Sequence, residues 1–314
     1  MPIRRDGFDM SWLSWLMPGR GNAAQKPGAA TPIATSARIE PVDEKPLEDA
    51  QRSDTQQVLP WLLGCETLTD TPMTPIERSA LDAIAKTLAK PELTDNLLPR
   101  AAALIPQLIA LVRQTELPTA AIAERIGKDA VLAAEVMRLA SSSHYRAQGS
   151  VANLEQAIER IGLQGLQTVI ARVVLKPIFQ AVPGPLSARA GKRIGDYSEA
   201  LARHTAILSG RAGQAVFDAY LAGLMHGTGW TIAFSIIDRA GLHIAVPPSQ
   251  AFGAALAEVA QRLFGQAAQR WDITAGFTAL ALDARRNGLA AALHPLAHLL
   301  RQAQQPCLEE LALG

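Results

Sequence analysis

Two histidines stand where an imidazole could do chemistry. His204 lies in Leu201-Ala202-Arg203-His204-Thr205, and His226 follows twenty-two residues later within Ala219–Trp230. Both runs are largely apolar and read as successive helices. Imidazoles from two helices can converge on a metal ion or hold a proton near neutral pH. A single histidine in such a helix is more commonly a hydrogen-bonded core residue. Other candidates are thinner. His294 and His298 share a helix face, a spacing that zinc can use, but Pro295 lies between them and no third acidic ligand is near in sequence. His144 ends a helix expected over 129–142, where the helix dipole favours a cation. With Tyr145, Lys128 and Arg138 it forms a candidate interaction surface. Cys65 and Cys307 are the only cysteines and fit no ligand spacing. They read as free thiols in a reducing cytosol, so a cytoplasmic location is expected. No Gly-rich loop sits between a strand and a helix, and no nucleophile elbow is recognisable. No cofactor is expected.

The elements that must position these residues read as helices. The 314 residues are 48% hydrophobic but only 5% aromatic, so Ala, Leu, Ile and Val must fill the core, which suits close helix packing. Lys and Arg number 30 against 29 Asp and Glu, a formal charge of +1. Such a balance supplies no global field for nucleic acid or an anionic membrane. No run approaches the length of a membrane span. Helices are expected at about 98–115, 118–127, 129–142, 151–161, 163–180, 186–210, 214–238, 249–264, 265–272, 273–286 and 288–304. Period-two alternation is absent over any useful length. The expectation is an all-α, multi-helix globule.

Residues 1–58 read as a low-complexity tail, with Pro18, Pro27, Pro32, Pro41 and Pro46 among small and charged residues. Within it, Phe8, Trp12, Trp15 and Leu16 would share a face if 8–17 were helical, a weak docking element for a membrane surface or a partner. Met10 is an alternative start to Met1. Ordered structure is expected from near Thr74, where Thr74-Pro75-Ile76-Glu77 combines an N-cap, a first-turn proline and a glutamate. Val182-Pro183-Gly184-Pro185 divides the ordered part into a bundle over about 74–181 and a second lobe over about 186–304.

Residues 118–142 have the outline of a helix-turn-helix, with Ala123 inside, Gly127 at the turn, Asp129 capping and Val131 packed behind. A DNA reader needs polar or basic residues early in its second helix. Here that helix begins Ala130-Val131-Leu132-Ala133-Ala134, and only Lys128 and Arg138 are basic. A packed helix pair is the favoured reading, with a DNA-binding regulator as the lesser alternative.

Several blocks together resemble one family. Asp129-Ala130-Val131-Leu132, the run Val136–Tyr145 with its Arg138-Leu139-Ala140-Ser141-Ser142, and Val151–Leu166 are similar to successive motifs of HDOD domains (HD-related output domains). The Leu98-Pro99 region resembles the family's opening, and Ala222-Gly223-Leu224-Met225-His226-Gly227-Thr228-Gly229, after the helix with His204, resembles the His-Asp segment of the HD metal-dependent phosphohydrolase superfamily. The resemblance runs from about Leu97 to His298. It implies a helical relative of the HD metal-dependent phosphohydrolases, in which a His, a His-Asp pair and a later Asp hold a divalent cation. On this resemblance Gly227 occupies the Asp position and Trp230 a position often filled by Lys. Hard cations want anionic oxygen, which glycine cannot give. The expectation is therefore no metal, no catalytic residue, and a vestigial pocket around His204, His226, Gly227, Trp230 and Asp283. The role implied is non-catalytic bacterial signal transduction, with a signalling protein or a nucleotide second messenger as partner. The residues outside the helical part are too few for a receiver or kinase module. The alternative is a phosphohydrolase in which Asp238 or Asp283 replaces the missing carboxylate.

Overall fold

Capping side chains and glycines set where the helices begin and end. The computed structural model describes residues 58–90, 118–142, 145, 151–176 and 183–313. Its helices are α1 (58–63), α2 (Pro75–Leu88), α3 (Thr119–Ile126), α4 (Ala130–Ala140), α5 (Leu154–Leu175), α6 (Pro185–Arg211), α7 (Val216–His226), α8 (Thr228–Arg239), α9 (Gln250–Trp271), α10 (Ala275–Ala291) and α11 (Pro295–Leu313). Among the described residues there is no strand, only one parallel bridge between Thr69 and Ser249. The chain is all-α, as expected. The helix expected at 98–115, the tail with Trp12 and Trp15, and His144 lie outside the described residues.

The centre is α7 and α8, buried throughout residues 219–237. A helix without a polar face belongs inside. Close approach depends on missing side chains. A methyl added at Gly223 would lie 2.5 Å from Ala202 Cα of α6, and one at Gly229 would lie 2.9 Å from the Ala260 carbonyl carbon of α9. The N-terminal lobe, α3 to α5, turns the Leu132, Val136 and Ala140 face of α4 inward. The last helix, α11, lies along α6, where the buried Cys307 thiol donates to the Tyr197 carbonyl at 3.7 Å.

Several expected boundaries shift for identifiable reasons. The single helix expected over 214–238 is two, divided at Gly227, where the Thr228 hydroxyl donates to the Met225 carbonyl at 2.7 Å. The two helices expected at 249–264 and 265–272 are one. Gly265 is a packing position: a methyl there would lie 2.8 Å from the Ala284 carbonyl carbon of α10. Gly162 and Gly288, at φ of 65° and 73°, interrupt α5 and α10 where the sequence places breaks.

The ordered start also needs correction. Residues 58–73 precede the expected start at Thr74, yet Leu59, Leu62 and Leu63 are buried. Leu59 and Leu68 crowd the Cβ-less face of Gly253 on α9. Backbone bonds from the Thr69 amide to the Pro248 carbonyl and from the Gln250 amide to the Thr69 carbonyl, both 2.9 Å, pin the segment down.

One carboxylate ties this beginning to α9. Thr74 and Glu77 form a reciprocal capping box on α2, with the Thr74 amide donating to Glu77 Oε2 at 2.7 Å. The same carboxylate accepts from the Ser249 amide at 2.8 Å and the Ser249 hydroxyl at 3.0 Å, and that hydroxyl caps α9 at the Phe252 amide. Burial alone would raise the Glu77 pKa, but these bonds outweigh it and hold the group below its ordinary 4.5. A depressed carboxyl pKa means stability present above 4.5 and lost as pH falls through the folded-state value. Glu77→Gln is expected to cost about 2–3 kcal/mol at neutral pH, because an amide must present hydrogens to donors. Urea unfolding checks this, and an unchanged midpoint would refute it.

Candidate functional site

Gly227 joins α7 to α8 and faces α6. A methyl placed on it would collide with Ser198 Oγ and come within 2.7 Å of Ile194 Cγ2. The position therefore lacks a carboxylate and also lacks room for one. Ser198 is fully buried, and its hydroxyl has no hydrogen-bond partner.

His226, the preceding residue, is 4% exposed. Its ring lies 5.7 Å from the Tyr197 ring, edge to face, and 6.1 Å from that of Phe264. Nδ1 has no partner. Desolvation with nothing to compensate pulls the imidazole pKa down to about 4, so the ring is neutral at physiological pH. Trp230, one turn into α8, is 3% exposed and packs against Phe234 at 6.1 Å.

His204 does not join them. α6 and α7 run antiparallel, with Gly227 opposite Ile194 and Ser198 and Gly223 opposite Leu201 and Ala202. His204 is therefore six residues beyond Ser198, about 9 Å further along α6 at the rise of a helix. It is half-buried at the α6–α11 seam, with Nε2 2.9 Å from Glu310 Oε2, and Arg203 pairs with the same carboxylate. Burial would raise the Glu310 pKa, but Arg203 and His204 together bring it below its ordinary value. The residue that faces His226 from α6 is Tyr197. Only the long-range packing of the two helices reveals this register.

The two aspartates that could have supplied oxygen are engaged elsewhere. Asp283 accepts from the Leu293 and His294 amides, both at 2.8 Å, and from Asn287 at 2.7 Å. Burial would raise its pKa, yet these bonds hold it below the ordinary value. It closes the turn between α10 and α11. Asp238 accepts from the Leu186 amide at 3.0 Å and the Ser187 amide at 2.9 Å, and so caps α6 from the end of α8. Gly184 lies so close to this carboxylate that a side chain there would overlap it. Among the described residues, no three His, Cys, Asp or Glu side chains are placed to hold a metal. The residues present do not fit the cation that the HD resemblance implies. The His294 and His298 pair also divides: His294 Nδ1 accepts from the Leu296 amide at 3.2 Å, and His298 Nε2 lies 2.9 Å from the Gln302 amide nitrogen.

The candidate surface on the N-terminal lobe is mostly neutralised. Lys128, in the turn after α3, pairs with Glu124 of that helix at 3.6 Å, and Arg138 pairs with Glu135 of its own helix at 2.9 Å. Asp129 caps α4 through the Leu132 amide at 2.7 Å, as its position predicts. Val131, which a helix-turn-helix would pack behind the turn, is 46% exposed, so that outline does not hold in three dimensions. The Tyr145 ring is half-buried beside Gly165 of α5, and burial raises its hydroxyl pKa.

Comparison with known proteins bears on this geometry. The model of the HDOD domain matches residues 98–274. A crystal structure from Shewanella amazonensis SB2B, named "Putative metal-dependent phosphohydrolase", superposes with a TM-score of 0.55 at 16% identity, covering 76% of this chain and 90% of that one. An HDOD domain protein of unknown function from Geobacter sulfurreducens gives 0.47 at 18% identity, covering 65% and 71%. No curated protein matches in sequence. The family model spans more than half of the sequence, over the helices that carry Gly227 and its neighbours, and the chain belongs to the HDOD domain family.

Proposed function

We propose that this chain is a non-catalytic regulatory module of signal transduction that acts by binding a protein or a small ligand. Position 227 carries the reading. A hard cation needs an anionic oxygen beside the second imidazole, and Ser198 and Ile194 fill the space that such a side chain would take. The substitutes are bound into helix caps, so recruiting Asp238 or Asp283 would sacrifice the start of α6 or the α10–α11 turn. His226 is packed among aromatic rings and offers no partner for a metal-bound water. Membership in a family of output domains agrees with a role in relaying a state rather than in turnover.

The test is a paired measurement on the full chain. Metal content after purification with added manganese is expected to be far below one ion per chain. Hydrolysis of a phosphodiester such as bis(p-nitrophenyl) phosphate is expected to match the buffer blank. One tightly held ion per chain, with turnover that disappears in His226→Ala, would establish the phosphohydrolase alternative instead.

A further inference from the structure

A pocket of about 150 Å³ opens where α5 meets α6 and α7. Arg172 and Lys176, at the end of α5, line one side, and Lys192, Asp196 and Glu199 of α6 line the other. Both carboxylates are already matched. Lys192 pairs with Asp196 at 2.5 Å, and Glu199 pairs with Arg172 and, at 3.5 Å, with Arg203. Lys176 has no carboxylate within ion-pair reach among the described residues. Among the lining residues three cations face two carboxylates, and Glu135 of α4, outside the lining, shares Arg172, so Lys176 is the cation left unmatched in this concavity. Gly191 and Gly195, one helical turn apart, line the same wall and leave the backbone bare to close approach. The volume is below the roughly 300 Å³ at which pockets for whole drug-sized ligands begin, and it suits an oxyanion group.

We propose that this pocket binds the phosphate group of a small molecule, with Lys176 as the principal charge and Lys192 and Arg172 beside it. The site is separate from the degenerate HD position. It deepens the regulatory reading by naming a ligand class, and it rests on that reading for its consequence. Arg172 also holds Glu135 of α4 at 3.1 Å, so the guanidinium that ties α4 to α6 lines the ligand pocket. An anion there bears on both lobes at once.

Calorimetric titration of the full chain at constant ionic strength tests the proposal, using inorganic phosphate and adenosine 5′-monophosphate, with chloride as control. Saturable binding in the millimolar range or tighter is expected. Lys176→Gln should weaken it about tenfold, the loss of one charge-assisted contact. Lys176→Gln with Lys192→Gln should abolish it, while Lys86→Gln, on the exposed face of α2, should leave it unchanged. Both pocket lysines reach solvent, so the thermal midpoint of the unliganded variants should match the parent. Tighter binding of the nucleotide would identify a phosphorylated ligand, and equal binding a free anion. No saturable binding of either, or binding that the double variant retains, overturns the proposal. Metal content and turnover are measured separately, so the non-catalytic reading can stand or fall on its own.

Discussion

Gly227→Asp is expected to unfold the domain rather than to create a metal centre. The new side chain would enter the space of Ser198 Oγ and Ile194 Cγ2, at a point where α6, α7 and α8 are all buried. Overpacking and an unpaired buried carboxylate act together, and each belongs to the short list of severe single-site effects. The cost should exceed about 4 kcal/mol, enough to unfold a marginally stable domain. Gly227→Ala isolates the steric part, and Ser198→Ala in the same chain should recover some of the loss by removing the hydroxyl that the methyl meets. Circular dichroism melts and manganese binding read the outcome. A Gly227→Asp protein that melts normally and holds one manganese ion would show that the helices can spread, and the closed reading of this position would be wrong.

Acid should destabilise the protein from just below pH 6.5, through one buried imidazole. His226 has a folded-state pKa of about 4 against an ordinary 6.5. Between these values the unfolded chain binds the proton and the folded one does not, so stability rises with pH. The loss starts as pH falls below 6.5 and is complete near 4, and a shift of this size corresponds to roughly 3 kcal/mol. His226→Phe keeps a ring against Tyr197 and Phe264 and removes both the titration and the unpartnered Nδ1. Urea midpoints at pH 7, 5.5 and 4.5 should fall steeply in the parent and much less in the variant. Parallel curves would mean that His226 is not the group responsible. The Glu77 contribution lies lower, below 4.5, so the two windows can be resolved.

What the sequence discloses is local. The capping box at Thr74 and Glu77, the Asp129 cap and the breaks at Gly162 and Gly288 depend on residues within a turn of each other, and each is where the pattern places it. The features missed depend on contacts across the chain. Glycine signals a break when read alone, but Gly265 lies inside a continuous helix because α10 presses on it. Residues 219–237 are buried on every side and show no polar face, so periodicity gives no hint of the division at Gly227. His204 and His226 look paired because helix spacing says nothing about antiparallel register, and Glu310, the partner of His204, is 106 residues away. Asp283 offers oxygen in the sequence and spends it on the backbone of the following turn. Residues 59–73 fall between the tail and the expected ordered start because part of the surface they cover belongs to α9.

The two thiols belong to opposite ends of the described chain. Cys65 is half-buried just after α1, next to the segment pinned to α9, and Cys307 is buried between α11 and α6. Burial raises the pKa of both, that of Cys307 to about 12. Since thiolate is the reactive form, alkylating reagents meet one half-buried and one buried thiol in the folded protein, each held toward its protonated form. Peeling of the N-terminal segment would unmask Cys65 alone, whereas Cys307 waits for the last helix to leave. The order in which the two become labelled is thus a chemical clock, written into the native sequence, for which end of the molecule lets go first.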